Sequence, residues 1–217
     1  MKLPNKTLER KLFKSGYRLI YAVDEVGMGC LAGPVVVCAV AMTEKFYQKS
    51  YKNLHGLRDS KLLSAKQRER FANQLLLNTE CLTRVVYCHP KTIDKLNIYN
   101  AARLAMKRAI KKLTMGTIAS SAMVPIVLVD GQTKIKGLRY EQMAIVKGDR
   151  KVFAIACASI IAKVYRDKMM SNYAKKYPGY GFEQHKGYGT KYHQTKLVSL
   201  GPCEIHRRSF APVAKVL

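Results

Sequence analysis

Apolar positions in this chain come in short unbroken runs that stop at glycine, proline or a charged residue. Residues 19–24 (LIYAVD) and 35–42 (VVVCAVAM) predict two buried strands, joined by a loop holding Gly27, Gly29, Gly33 and Pro34. The β-branched and aromatic run CLTRVVYC (81–88) predicts a third. PIVLV before Asp130–Gly131, and EQMAIVKGD ending at Gly148–Asp149, predict two more. Helical spacing takes over elsewhere. Ser64 and Gln67 form a capping-box signature that opens a helix through about residue 78. NIYNAARLAMKRAIKKL predicts a long helix with basic residues along its exposed side. AIACASIIAKVYRDKMMSNYAKKY predicts another, apolar all round in its first half and ending before Pro178. A further helix should end before Gly201–Pro202. YQKSYKNLHGLRDSKLLS and YGFEQHKGYGT read as loops. The order ββ, α, β, α, ββ, then helices predicts an α/β fold with a mixed sheet rather than a pure βαβ repeat. No repeat or linker divides the chain. One domain, residues 17–217, is expected behind a short basic arm, residues 1–16, with a helical region from about 171 to the end.

Charge adds a partner to this picture. The chain has 39 basic and 14 acidic residues, a formal net charge of +25. That excess points to a polyanion, nucleic acid before a membrane surface, because no apolar run spans a bilayer and no sustained basic amphipathic helix is present. The first 16 residues lack the apolar core of a secretory signal, so a cytoplasmic, monomeric protein is expected. Six cysteines, mostly inside apolar runs and never paired as C-x-x-C, read as buried reduced thiols. The five histidines show no zinc-finger spacing, so zinc is not expected.

The acids are few, yet three predicted strands end in them: Asp24–Glu25 before Gly27, Asp130 before Gly131, and Asp149 after Gly148. Strand ends beside loops are where sites form in α/β sheets. Carboxylates gathered there would repel one another unless a cation held them, and short oxygen ligands suit Mg²⁺ or Mn²⁺. Such ions can activate water for phosphodiester hydrolysis, with lysines and arginines binding the rest of the polyanion. Any one Asp–Gly alone reads as a turn. Adjacent strand residues face opposite sides, so Asp24 and Glu25 share an ion only if the chain bends after Asp24. Asp167 reads as a helix ion-pair partner. The glycine spacing is wrong for a dinucleotide fingerprint, and neither a P-loop nor G-x-S-x-G occurs.

DEVGMGCLAGPVVVCAV, RDSKLLS, LVDG, VKGD, ASIIAKVYRD, YGFEQHKGYGT and HRRSF together resemble, in register, the motifs of the ribonuclease HII family over about residues 19–213. The resemblance implies a ribonuclease H-like fold, a five-stranded mixed sheet flanked by helices with a small helical C-terminal portion. It implies cleavage of RNA in RNA–DNA hybrids and 5′ of single ribonucleotides in duplex DNA, leaving a 3′-hydroxyl and a 5′-phosphate, in DNA repair and replication. It places the metal-binding carboxylates at Asp24, Glu25, Asp130 and Asp149. The backbone of Gly27 to Gly29 can approach a 2′-hydroxyl because glycine leaves room. Tyr188 matches a tyrosine that packs on the sugar of the following deoxynucleotide. Ser60, Lys61, Lys147, Lys163 and Lys186 are candidate phosphate contacts, though each alone reads as a solvated charge or polar group. One position departs from the family: Met28 stands where arginine is usual, and methionine can neither pair with a carboxylate nor bind phosphate. The rival reading is a basic protein that binds nucleic acid without cutting it, which has no use for anionic groups facing phosphates.

Overall fold

The structure, a computed structural model, describes residues 4, 7–57, 59–116 and 124–217. Five strands form one sheet in the order β3-β2-β1-β4-β5: β1 (Leu19–Val26), β2 (Val35–Thr43), β3 (Cys81–Cys88), β4 (Pro125–Asp130) and β5 (Glu141–Ile145). β1, β4 and β5 run parallel, with Val23 opposite Val129 and Asp130 opposite Ile145. Their apolar runs need no alternation because both faces are covered: β2 is buried from Val35 to Met42, and β4 from Ile126 to Val129. The mixed sheet flanked by helices is as expected.

The chain divides into two compact units, one of Met1–Glu25, Val37–Val86 and Met106–Val164, the other of Val26–Val36, Tyr87–Ala105 and Tyr165–Leu217. In the first, α3 (Ala65–Leu76) opens on the predicted capping box, Ser64 Oγ accepting from Gln67 N at 3.3 Å and Gln67 Oε1 from Ser64 N at 2.9 Å. From Met106 onward α5 (Ile98–Gly116) buries Met106, Ala109, Ile110 and Leu113 at helical spacing. α7 (Phe153–Lys176) is buried without a break from Phe153 to Ala162, and it ends before Pro178.

Two stretches of this unit differ from expectation. The basic arm, whose residues 1–3, 5 and 6 lie outside the described residues, contains α1 (Thr7–Lys14), which buries Leu12 and Phe13. Its fully buried Glu9 accepts from Ala154 N at 3.0 Å, putting a carboxylate on the first turn of α7, where backbone donors lack helical partners. The loop read after β2 is in part α2 (Glu44–Asn53), started by Thr43, whose hydroxyl accepts from Phe46 N.

The second unit is mainly helical: α4 (Pro90–Leu96), the start of α5, the end of α7, α8 (Phe182–His185), α9 (Lys191–Leu200) and α10 (Ala211–Ala214). Its core gathers Ala32, Met170, Tyr180, Phe182 and Ile205, with a smaller cluster of Leu31, Leu197 and Val213. α8 falls where the sequence reads as loop; it is one turn, entered and left through left-handed residues Gly181 and Lys186.

Candidate active site

Sheet register assembles the acids. Val23 faces Val129, so Asp24 and Asp130, one residue further along parallel neighbours, come side by side toward the same end of the sheet. Asp149 joins them from α6 (Gly148–Lys151), a single turn after β5. Gly148 N donates to Asp130 Oδ1 at 2.6 Å, and a Cβ at Gly148 would lie 2.5 Å from Ile155 Cδ1 and 3.1 Å from Asp130 Oδ1. A larger residue there would have to push Ile155 aside and crowd the carboxylate. β1 continues through Glu25 to Val26, and the backbone turns only at Gly27, with φ +95°. The bend expected after Asp24 therefore comes later. Glu25 N donates to Asp24 Oδ1 at 2.8 Å.

Asp24 is buried, and its carboxyl is pushed well above the usual carboxylate range, first by burial and then by the charges of Glu25 and Asp130, with Asp149 adding to them. Asp149 is pushed up by burial, Asp130 and Asp59, against the pull of Lys61 and Arg150. Asp24 thus senses the other three acids expected at the site, and Asp149 senses Asp130. Ser159, absent from the sequence prediction, opposes the shift with a hydrogen bond to Asp24. Its oxygen then accepts from Ser60 Oγ, 3.2 Å away. Ser60, expected as a phosphate contact, is buried, and its hydroxyl belongs to this internal chain. Asp59, also missed, is 1% exposed; Oδ1 accepts from Lys61 N and Oδ2 from Arg150 Nε at 2.9 Å. It fixes the turn carrying the exposed Lys61 and anchors the residue after Asp149. Lys147 is exposed in a left-handed conformation before α6, and Lys163 is half-buried on α7.

The donor set consists of hard oxygens whose mutual repulsion a divalent cation would relieve, which fits Mg²⁺ or Mn²⁺. Among the described residues no three Asp, Glu, His or Cys side chains already close around one point. The group is gathered but not drawn together, as like charges dictate.

The second unit carries the glycine turn and Tyr188. Two buried arginines, missed in the sequence, hold the turn by its carbonyls. Arg207 donates to Gly27 O (2.6 Å), Met28 O (2.9 Å) and Gly33 O (3.0 Å). Arg166 donates to Pro34 O (3.0 Å), Ala32 O (3.1 Å) and Lys186 O (2.8 Å). Both are 0% exposed. Burial draws Arg207 down to about 10, which still leaves it charged at neutral pH. In a trans peptide C=O and N–H point opposite ways. With the carbonyls of Gly27 and Met28 turned to Arg207, the N–H groups of Met28 and Gly29 are turned away from it. A Cβ at Gly27 would run into the Arg166 guanidinium, so this glycine makes room for an arginine.

Tyr188 pairs with Cys30 in an antiparallel bridge, and Leu31 N donates to Gly187 O at 2.8 Å, so turn and tyrosine move as one piece. The tyrosine ring is 39% exposed. Lys186 is half-buried with Nζ on Ser171 Oγ at 2.8 Å, so a phosphate would have to compete for it.

Three histidines that sequence spacing left apart converge behind Tyr188. The carbonyl of Tyr188 can only accept, so His193 Nδ1, 2.8 Å away, bears its proton. His193 Nε2 must then accept from His206 Nε2 at 3.1 Å, and His206 Nδ1 is left to accept Cys203 N–H at 3.0 Å. His185 stacks on His193 at 4.4 Å. Every role in this chain requires neutral rings. Burial, together with the neighbouring histidines, holds His193 and His206 down at about 4, against an ordinary 6.5. Unfolded chain therefore binds more protons between those values. The stability contributed is full above about pH 6.5, declines as pH falls and is gone below about 4. The melting temperature is expected to drop from pH 7 to pH 5, and His206→Gln, which keeps a donor toward His193, should flatten that drop. Identical slopes in the two proteins would refute this origin.

Among solved structures, the ribonuclease H2 from Pyrococcus horikoshii OT3 matches with a TM-score of 0.69 and 26% identity, over 91% of this chain and 96% of that one. A mixed five-stranded sheet ending in gathered carboxylates defines the ribonuclease H class of metal-dependent hydrolases. Residues 22–213 match the family model Ribonuclease HII. Ribonuclease HII of Caldicellulosiruptor bescii is 48% identical over 203 residues, 94% of this chain and 91% of the relative. That of Caldicellulosiruptor saccharolyticus is 48% identical over 205 residues, covering 94% and 92%. The chain belongs to the ribonuclease HII family.

Proposed function

We propose that this chain is an endonuclease that hydrolyses RNA paired with DNA and cuts 5′ of single ribonucleotides in duplex DNA, leaving 3′-hydroxyl and 5′-phosphate ends. The observation that carries the reading is the placing of Asp24, with Glu25 beside it, next to Asp130 and Asp149 at the ends of neighbouring strands, where burial and then the neighbours' charge raise Asp24 and Asp149. Asp24, Glu25, Asp130 and Asp149 would hold Mg²⁺ or Mn²⁺. Such ions, when bound, activate water and stabilise the leaving oxygen of a phosphodiester.

The chain's own groups do the rest. Asp130 is oriented by Gly148 N–H, and Asp24 by Ser159 and Glu25 N–H. Met28 and Gly29 N–H groups, turned away from Arg207, can meet a 2′-hydroxyl, the one group that separates RNA from DNA. Tyr188, fixed through Cys30 and His193, offers a ring against which a deoxyribose fits and a ribose crowds. Lys61, Lys147 and Lys163 remain candidates for phosphate contact. The reading places the protein in removal of ribonucleotides from DNA, in the cytoplasm and as a monomer. A purified protein that cuts neither a single-ribonucleotide duplex nor a long hybrid, with either ion, would leave only the non-catalytic binder.

Met28 leaves the turn without the cation usual in the family. Its carbonyl is already held by Arg207, so a longer side chain need not alter the backbone. Met28→Arg is expected to tighten binding of a single-ribonucleotide duplex or speed its cleavage by about fivefold, one charge-assisted contact to phosphate or carboxylate. No gain in either quantity would show that another basic residue already fills that role.

A further inference from the structure

Apart from the turn and Tyr188, the second unit has a cleft of about 410 Å³, within the size range of small-ligand sites. Its walls include Lys91, Tyr173, Lys176, Tyr177 and Glu204. Aromatic surface continues out of it. His89, also in the wall, stands edge-on to Tyr87 at 5.0 Å, and Tyr87 lies nearly parallel to Tyr165 at 6.5 Å and 28°. Tyr173 and Tyr177 are neighbours at 6.4 Å, and Tyr173 senses Tyr87 electrostatically. Tyr165 and Tyr173 lie eight residues apart on α7, and Tyr177 follows directly after its last residue, its N–H bonded to Tyr173 O at 2.8 Å. Tyr87 and Tyr165 are 37% and 42% exposed.

Tyr173 and Tyr177 are half-buried against the core of this unit, so each keeps part of its ring in water on a firm support. Rings presented in this way, rimmed by ammonium groups, make the surface on which unpaired bases stack while the backbone is held by charge. The net charge of +25 favours a polyanion over an acid-poor protein partner. Glu204 argues against a bare phosphate and for a base. It already accepts from Tyr177 Oη at 2.8 Å and lies 3.5 Å from Lys176 Nζ, so its second oxygen is suited to the amino group of adenine, cytosine or guanine. Lys176 Nζ also sits 5.1 Å over the Tyr177 ring, which turns one face of the cleft cationic without blocking the other ring.

We propose that this cleft binds an unpaired nucleotide, so that the protein holds a single-stranded segment adjoining its duplex substrate through stacking on Tyr173 and the rings beside it. The site is independent of the carboxylates, and its occupancy is read by binding rather than by cleavage.

The test uses the full chain, without divalent ions, and fluorescence anisotropy on a mixed-sequence single strand, a blunt DNA duplex, and the same duplex with a single-stranded extension at either the 5′ or the 3′ end. Tyr173→Ser should weaken single-strand binding about tenfold and abolish the preference for one extended duplex over the blunt one, while blunt-duplex binding stays unchanged. Stacking is uncharged, so the slope of log Kd against log salt should not move in this variant. Lys91→Ala with Lys176→Ala should instead lower that slope. Tyr173→Phe should restore binding, which guards against a merely misfolded serine variant. Three results would overturn the proposal: no wild-type preference for either extension, equal loss on blunt duplex, or unchanged single-strand affinity in Tyr173→Ser. The last, with the preference intact, would leave the cleft to a protein ligand.

Discussion

Asp130→Asn is expected to lower cleavage of a single-ribonucleotide duplex by at least about 10³-fold, some 4 kcal/mol of transition-state stabilisation, while duplex binding persists. The substitution removes one negative charge from the gathered four and little else. Asparagine's side-chain oxygen can still accept Gly148 N–H, so the 2.6 Å bond that ties β4 to α6 survives. Burial, which raises Asp24 and Asp149 most, is unchanged, but the part of the rise due to the Asp130 charge is removed. Without divalent ions the variant should therefore melt no lower than the parent, and somewhat higher if repulsion dominates. With Mg²⁺ or Mn²⁺ the parent should gain stability by linkage and the variant should gain much less. This second measurement needs no substrate. Cleavage within tenfold of the parent would remove Asp130 from the chemistry. A lowered melting temperature in the metal-free state would show that the loss came through the fold.

The positions of these acids were legible because strand ends leave strong marks. Apolar runs stop at Asp24, Asp130 and Gly148–Asp149, and the parallel register of β1, β4 and β5 then does the assembling. The capping box of α3 and the stop of α7 before Pro178 are equally local signals. What stayed hidden depends on partners distant in sequence. Ser159 is one hydroxyl in an apolar helix, and only the fold sets it against Asp24. Asp59 reads as a loop acid until it is seen buried against Arg150. The histidines at 185, 193 and 206 have no metal-like spacing, and their order comes from a backbone carbonyl and from one another. α1 and α2 are short and rich in charge, so their packing rather than their sequence makes them helices. Tyr188 is marked out by family resemblance alone.

Arg207 is the extreme case, because a buried arginine whose hydrogen bonds go to the backbone carbonyls of Gly27, Met28 and Gly33 cannot be picked out among 39 basic residues. Its replacement should have the second large effect. Arg207→Lys keeps a positive charge but not the planar fork that reaches Gly27, Met28 and Gly33 at once. At least one carbonyl is left bare in a site with no exposure, at a cost of about 2–4 kcal/mol, a fall in melting temperature of roughly 5–10 °C. The peptide planes between Gly27 and Gly29 are then free to rotate, and Met28 and Gly29 N–H lose their fixed direction. Recognition of the ribonucleotide should suffer beyond the loss of stability. At a temperature where both proteins are folded, affinity for a single-ribonucleotide duplex should approach that for all-DNA duplex. Arg208→Lys is the control: that side chain is exposed, and the contact its residue makes is through its backbone N–H to Asp94 Oδ2 at 3.1 Å. It should leave both melting and discrimination unchanged. Should Arg207→Lys melt like the parent and still distinguish the two duplexes, the turn does not depend on the guanidinium for its shape. Backbone reading of the 2′-hydroxyl would then need a different support.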